Sequence, residues 1–315
     1  MHRSGGPQRF SITRFGAVAK NVLTGNGEGR VTAVFDRSFY VETSAGMACI
    51  VSPSLELGPL NAISSVPSGM NWQASGLRAG ERVILSANTV YAGGRFVFET
   101  ERALCWQPTA GSHNWDRVSL ANGLAKLELM AGCRVPGDGL GRLVFRSGAR
   151  CAESPLVRRA AEPVDQLCCW LGLAMTGDLA ACDGQINGVG QLLGLGPGLT
   201  PAGDDFLAGV LLALHALGQN RALRLLSFDI GCQMVQRTSA ISAAHLSAAM
   251  SGTGSAPLHL LLHDVMLNRG VLPNAALARV ARIGHTSGWD CLAGMVATLR
   301  VWLMVECSSA LASVG

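Results

Sequence analysis

RVTAVFDRSFYVET, residues 30–43, sets the reading of the first part of the chain. It is dense in β-branched and aromatic residues, which suit a pleated, half-buried surface. MACIVS (residues 47–52), RVILSA (82–87) and RFVFET (95–100) continue the pattern, separated by Gly, Pro, Asn and Ser turns. Ala92-Gly93-Gly94 stands between TVY and RFVFE, where a tight hairpin turn is expected. Short strands at this spacing predict a small barrel or sandwich over roughly residues 28–107. Residues 1–27 read as a flexible lead-in.

Beyond Trp115 the period changes to that of helices. Residues 119–131, 206–217, 222–237, 240–250, 256–267, 274–283 and 289–308 carry apolar side chains at helical spacing. Residues 156–177 read as one or two helices interrupted at Pro163, and the Gly-rich stretch 132–154 as a linker or flap, its GDGLG (137–141) as a mobile loop. No internal repeat is evident. The expected fold is therefore α+β: a β-rich domain over 28–115, then a mainly helical domain over 116–315.

The 315 residues suit about two domains at roughly 150 residues each. Hydrophobic residues make up 49% and charged residues 15%, which excludes a disordered chain. The net charge of +4 comes with no block of five like charges and no aromatic-rich basic stripe, so nucleic acid is not an expected partner. The longest apolar run, near residues 206–217, falls short of the roughly 20 residues a membrane span needs. Ten cysteines without a CxxC pair read as free thiols of a cytoplasmic protein.

Two stretches carry the functional expectation. In GLGPGLTPAGDDFLAG, residues 194–209, the glycines permit close backbone approach to a ligand, and Thr200-Pro201 is expected to open a helix. Gly196, Gly198, Thr200 and Gly203 are then candidate ligand-binding residues at a positive helix end. Asp204 and Asp205 would repel a bare phosphate, but would fit Mg²⁺ or the N–H groups of an amide. Consecutive helical residues point about 100° apart, so one aspartate is expected at the ligand and the other holding the loop. The plain alternative is a turn whose aspartates offset the helix dipole. GHTSGWD, residues 284–290, has the same grammar: Ser287 is the expected N-cap, Asp290 its capping-box partner, and Thr286, Ser287 and His285 are site candidates. In RTSAIS, residues 237–242, Thr238 and Ser239 are expected to open a further helix and are candidate ligand-binding residues. A Ser242–His245 nucleophilic pair and a His259–His263 zinc grip are weaker readings of the same helices, lacking a nucleophile elbow and a His-Glu-x-x-His motif.

These three motifs, in this order after a β-rich first half, resemble a bacterial family of uncharacterised proteins that includes the third subunit (AllH-like) of oxamate carbamoyltransferase. The resemblance spans roughly residues 30–305. It implies a place in allantoin and purine nitrogen catabolism, with carbamoyl phosphate and oxamate giving phosphate and oxalurate in a multisubunit assembly. Other carbamoyltransferase subunits are thus expected partners. A role for Asp204, Asp205 and His285 in catalysis, with His285 as proton shuttle, fits this chemistry. Ala202 departs from the serine common in relatives and removes any hydroxyl role there. A non-catalytic structural or ligand-sensing subunit, or a stand-alone carboxylase or lyase, remain the alternatives.

Overall fold

The computed structural model describes residues 6–108, 114–132, 134–145, 154–177, 186–268 and 274–312. The chain divides into two compact units, Met1–Pro108 and Thr109–Gly315.

The first unit is a barrel. Its elements in chain order are β1 (Gln8–Gly16), α1 (Ala17–Leu23), β2 (Gly27–Val34), β3 (Ser38–Thr43), β4 (Gly46–Val51), β5 (Asn61–Ser64), β6 (Arg82–Ser86), β7 (Thr89–Ala92), β8 (Phe96–Glu99) and β9 (Leu104–Trp106). The strands run in the order β5-β4-β3-β2-β6-β7-β8-β1, and β1 pairs antiparallel with β5 to close the ring. The short β9 continues along β1 beyond β8. Closure leaves few open strand edges. At Gly93 and Gly94 both φ values are positive (59° and 66°), as the β7–β8 hairpin turn requires. Trp72 arrives from the β5–β6 connection and packs edge-on against Phe39 at 4.9 Å and Phe96 at 5.2 Å, filling the interior.

Residues 30–43 form two strands, β2 and β3, because Phe35 N donates to Ser38 O and turns the chain. One expectation changes. The expected lead-in contains β1 and α1. The register of β1 shifts between Ile12 and Arg14, so Ile12 and Phe15 are both buried although they are three apart. That bulge destroys the period-two signal by which a strand is recognised.

The second unit holds α2 (Arg117–Ala131), α3 (Gly141–Val144), α4 (Pro155–Thr176), α5 (Val189–Leu192), α6 (Ala202–Ala216), α7 (Asn220–Arg237), α8 (Ala240–Met250), α9 (Ala256–Met266), α10 (Asn274–Val280) and α11 (Ser287–Ala312). Helix α4 runs unbroken through Pro163. The proline lies buried against Gly188, so packing offsets the hydrogen bond its ring removes.

At the centre, α6 and α11 pack on each other more extensively than any other pair of elements. A Cβ on Gly209 would lie 1.9 Å from the Cys291 carbonyl oxygen, and one on Gly294 would lie 2.0 Å from that of Phe206. Each helix therefore lends a glycine so that the other's backbone can approach. Ser287–Ser308 is apolar and long enough to cross a membrane, but more than half of it is buried inside the protein. This stretch exceeds the run at 206–217 that the sequence singles out. Its apolarity is that of a helix surrounded by core.

Candidate functional site

Helix α6 begins at Ala202 with Pro201 as N-cap, one residue later than expected, and no side chain caps it. Pro201 O accepts from Asp204 N (3.0 Å) and Asp205 N (3.1 Å), while Leu195 O accepts from Gly203 N (2.9 Å). Three amides of the first turn, those of the candidate Gly203 and of Asp204 and Asp205, thus already have protein partners. Gly194 (φ +75°) is fixed by crowding as well: a Cβ would sit 2.1 Å from Arg237 O. Gly196 and Gly198 take positive φ values of 122° and 90° within the same loop.

The two aspartates part company. Asp204 is buried and accepts from Gly194 N (2.8 Å) on Oδ1, and from Ser242 Oγ (2.6 Å) and Thr238 Oγ1 on Oδ2. Ser239 caps α8 through Ser242 N (3.0 Å) and donates to Leu199 O (2.5 Å). Thr238, Ser239 and Ser242 thus tie the start of α8 to the loop, and Asp204 is the knot. The Ser242 hydroxyl is committed to Asp204, and the imidazole of His245 is held neutral by burial, its pKa lowered to about 4. That arrangement does not form a nucleophile–base pair.

Asp205 accepts from the Ser287 hydroxyl on the other motif, and its Oδ2 is shut off from solvent without a hydrogen-bond partner. Burial raises its pKa well above the usual carboxylate range, against the Ser287 bond, and Asp290 and Asp204 add repulsion. Thr200 Oγ1 lies 3.2 Å from Ser287 Oγ, so the two motif loops meet.

In the second motif, Asp290 does not cap its own helix. Its Oδ1 accepts from Leu140 N (2.6 Å) at the start of α3, and its Oδ2 is buried and unpartnered. The Thr286 hydroxyl and Gly141 N also approach this carboxyl and favour its charged form. Burial lifts the pKa of Asp290 to about 6. GDGLG, expected as a mobile loop, is packed at Gly139, which presses so closely on Asp290 that a Cβ would come within 2.7 Å of Oδ1. Only the tertiary structure reveals this pairing, because the partners are 150 positions apart. His285 stands 84% exposed and bonds Asp138 Oδ2 at 3.0 Å.

Among the described residues, no group of three or more His, Cys, Asp or Glu side chains could hold a metal ion. Asp204 has no oxygen to spare, so the geometry does not fit Mg²⁺ bridged by Asp204 and Asp205. Nor do His259 and His263 form a zinc grip: His259 Nε2 accepts from Gly254 N (2.9 Å), and burial lowers its pKa to about 4.

The raised pKa of Asp290 has a stability consequence. Its native form holds a proton more tightly than its unfolded form, so stability is highest below about pH 4 and falls as pH climbs to about 6. Asp290→Asn keeps the acceptor for Leu140 N and removes that loss. Chemical denaturation should show the variant about 1–3 kcal/mol more stable than wild type at pH 8, with the gap closing at pH 4. An equal gap at both pH values would show that Asp290 is ionised at no cost.

No solved structure matches the chain. Residues 192–299, which span all three motifs and about a third of the chain, match the family model described as oxamate carbamoyltransferase subunit AllH.

Proposed function

We propose that this chain is a cytoplasmic subunit of a carbamoyltransferase-type complex, and that its helical unit holds an amide-bearing small molecule where the loops before α6 and α11 meet. The observation that carries the reading is Asp205 Oδ2, a buried oxygen with no protein partner beside the Thr200–Ser287 contact, which a ligand N–H would both satisfy and hold in its ionised, accepting form. A buried polar atom left in that state costs roughly 1–3 kcal/mol, a cost that a ligand N–H would remove. The Gly203, Asp204 and Asp205 amides of α6 are taken, and two carboxyl side chains stand beside them, so the amide end of oxamate or of a carbamoyl group suits the position better than phosphate does. Within the reaction the resemblance implies, the amide nitrogen of oxamate forms a bond to the carbamoyl carbon, the C–O bond to phosphate breaks, and a proton leaves the nitrogen. The chain's contribution is to orient that nitrogen.

A second reading, a ligand-holding subunit that performs no proton transfer, is favoured by one observation: His285 is exposed and paired with Asp138. Wild type and Asp205→Asn, each alone and assembled with the other subunits, separate these readings. Carbamoyl transfer is expected only in the assembly. Asp205→Asn should raise the KM for oxamate at least ~10-fold and abolish oxamate-induced thermal stabilisation. His285→Ala should leave turnover unchanged if the subunit only holds ligand. A wild-type response in Asp205→Asn would refute the site.

A further inference from the structure

GDDFLAG at residues 203–209 and GWDCLAG at residues 288–294 share the pattern G-x-D-x-L-A-G, a recurrence too short to stand out in the sequence. The structure shows that the likeness extends well beyond these letters. A Cβ on Gly209 would meet the Cys291 carbonyl and then Met295 N at 3.0 Å. One on Gly294 would meet the Phe206 carbonyl and then Val210 N, also at 3.0 Å. In the aligned pattern Phe206 corresponds to Cys291 and Val210 to Met295, so the two helices contact each other through equivalent atoms.

The chain entering each helix is equivalent too. Leu195 N donates to Leu192 O and Gly203 N to Leu195 O in the first copy; Ile283 N donates to Val280 O and Gly288 N to Ile283 O in the second. Asp205 N bonds Pro201 O, and Asp290 N bonds Thr286 O, each four residues back. Both copies are thus a short helix, a turn, a loop and a long buried helix. They differ in the loop, which has three more residues in the first copy. Such reciprocity is the mark of a two-fold relation between like elements.

In this register Asp205 and Asp290 are counterparts. Both leave Oδ2 buried with no partner. Asp290 is fully buried, and its charge is felt at Asp205. Ser287, which bonds Asp205, lies one helical turn before Asp290.

We propose that the helical unit is an internal duplication whose two copies build one ligand site, in which Asp290 is the counterpart of Asp205 and accepts a second N–H of the same ligand. The inference rests on the proposal above that the site takes an amide. It adds a specificity-determining residue from the other copy and narrows the ligand to one with at least two N–H donors. The strap before α3 shows what such a carboxyl accepts: the filled oxygen of Asp290 takes a backbone amide, Leu140 N.

The test is calorimetric titration of oxamate, and of N,N-dimethyloxamate, which has the same carboxylate but no N–H, into the full chain assembled with its partner subunits. Wild type should bind oxamate and bind the dimethyl compound at least ~10-fold more weakly. Asp290→Asn should bind oxamate at least ~10-fold more weakly than wild type while its melting temperature without ligand stays equal or rises, so the loss is not one of folding. Should that variant fail to accumulate, Gly139→Ala disturbs the same carboxyl and should weaken oxamate in the same way. Wild-type affinity in Asp290→Asn, with Asp205→Asn impaired, would overturn the shared site and leave the single-aspartate reading standing. A wild-type complex that binds no oxamate would overturn both.

Discussion

Asp204→Ala is expected to lower the unfolding free energy by about 3–5 kcal/mol, the range seen when one partner of a buried, charge-assisted network is removed. Three donors converge on this carboxylate: Gly194 N, Ser242 Oγ and Thr238 Oγ1. Ser242 is buried, so its hydroxyl would be stranded in an apolar setting; Gly194 and Thr238 are half-buried. The loop at residues 194–200 would then lose its anchor to the start of α8, leaving Ser239 Oγ to Leu199 O as the remaining tie. Denaturant titration followed by circular dichroism reads the loss directly. Asp205→Ala, by contrast, removes an acceptor that is already half-unpaired and should cost far less. Similar losses for the two variants would contradict the division of labour between these neighbours.

The larger loss is expected at the glycine pair where α6 crosses α11. Gly209→Val or Gly294→Val puts a Cβ within about 2 Å of a backbone carbonyl that cannot swing aside. The whole helix must move, in a core where Phe206, Leu207, Val210, Leu292 and Val296 are buried. Overpacking usually costs about 1–3 kcal/mol, and two rigid backbones place this site beyond that range, at roughly 4 kcal/mol or more. Such variants should be recovered unfolded or as a loosened state with retained helix content and exposed apolar surface. Gly231→Val on α7 is the matched control. A Cβ there meets nothing within 4 Å, so only the ordinary propensity change applies. Native-like melting of Gly209→Val would show that the two helices slide apart freely, and the shared-site proposal would lose its frame.

The same contrast between local pattern and remote contact explains what was legible. The helices at 240–250 and 256–266 are readable because their apolar periodicity and flanking Ser and Gly residues are local signals. Helix α4 contains a proline that sequence rules take as a break; only the buried contact with Gly188 shows why it continues. Strand β1 was hidden by a bulge that puts Ile12 and Phe15 on the inside out of phase. The polar motifs were conspicuous as Gly-bounded runs in an apolar unit, but nothing local distinguishes Asp204, which is saturated by protein donors, from Asp205, which is not.

The sequence by itself determined the two-part architecture, the helix-rich character of the second part and the location of the motif loops. These follow from periodicity and from the few residues that terminate elements, both properties of neighbouring positions. Tertiary structure alone decided which atoms face which. It joined Thr200 to Ser287 across 87 positions and Leu140 to Asp290 across 150. It placed His285 on the surface with Asp138, and it made two seven-residue stretches into reciprocal partners. The physical reason is that a hydrogen bond to a buried carboxylate depends on whichever chain segment packing brings within 3 Å, and that proximity is encoded by the core as a whole rather than by the residues that use it.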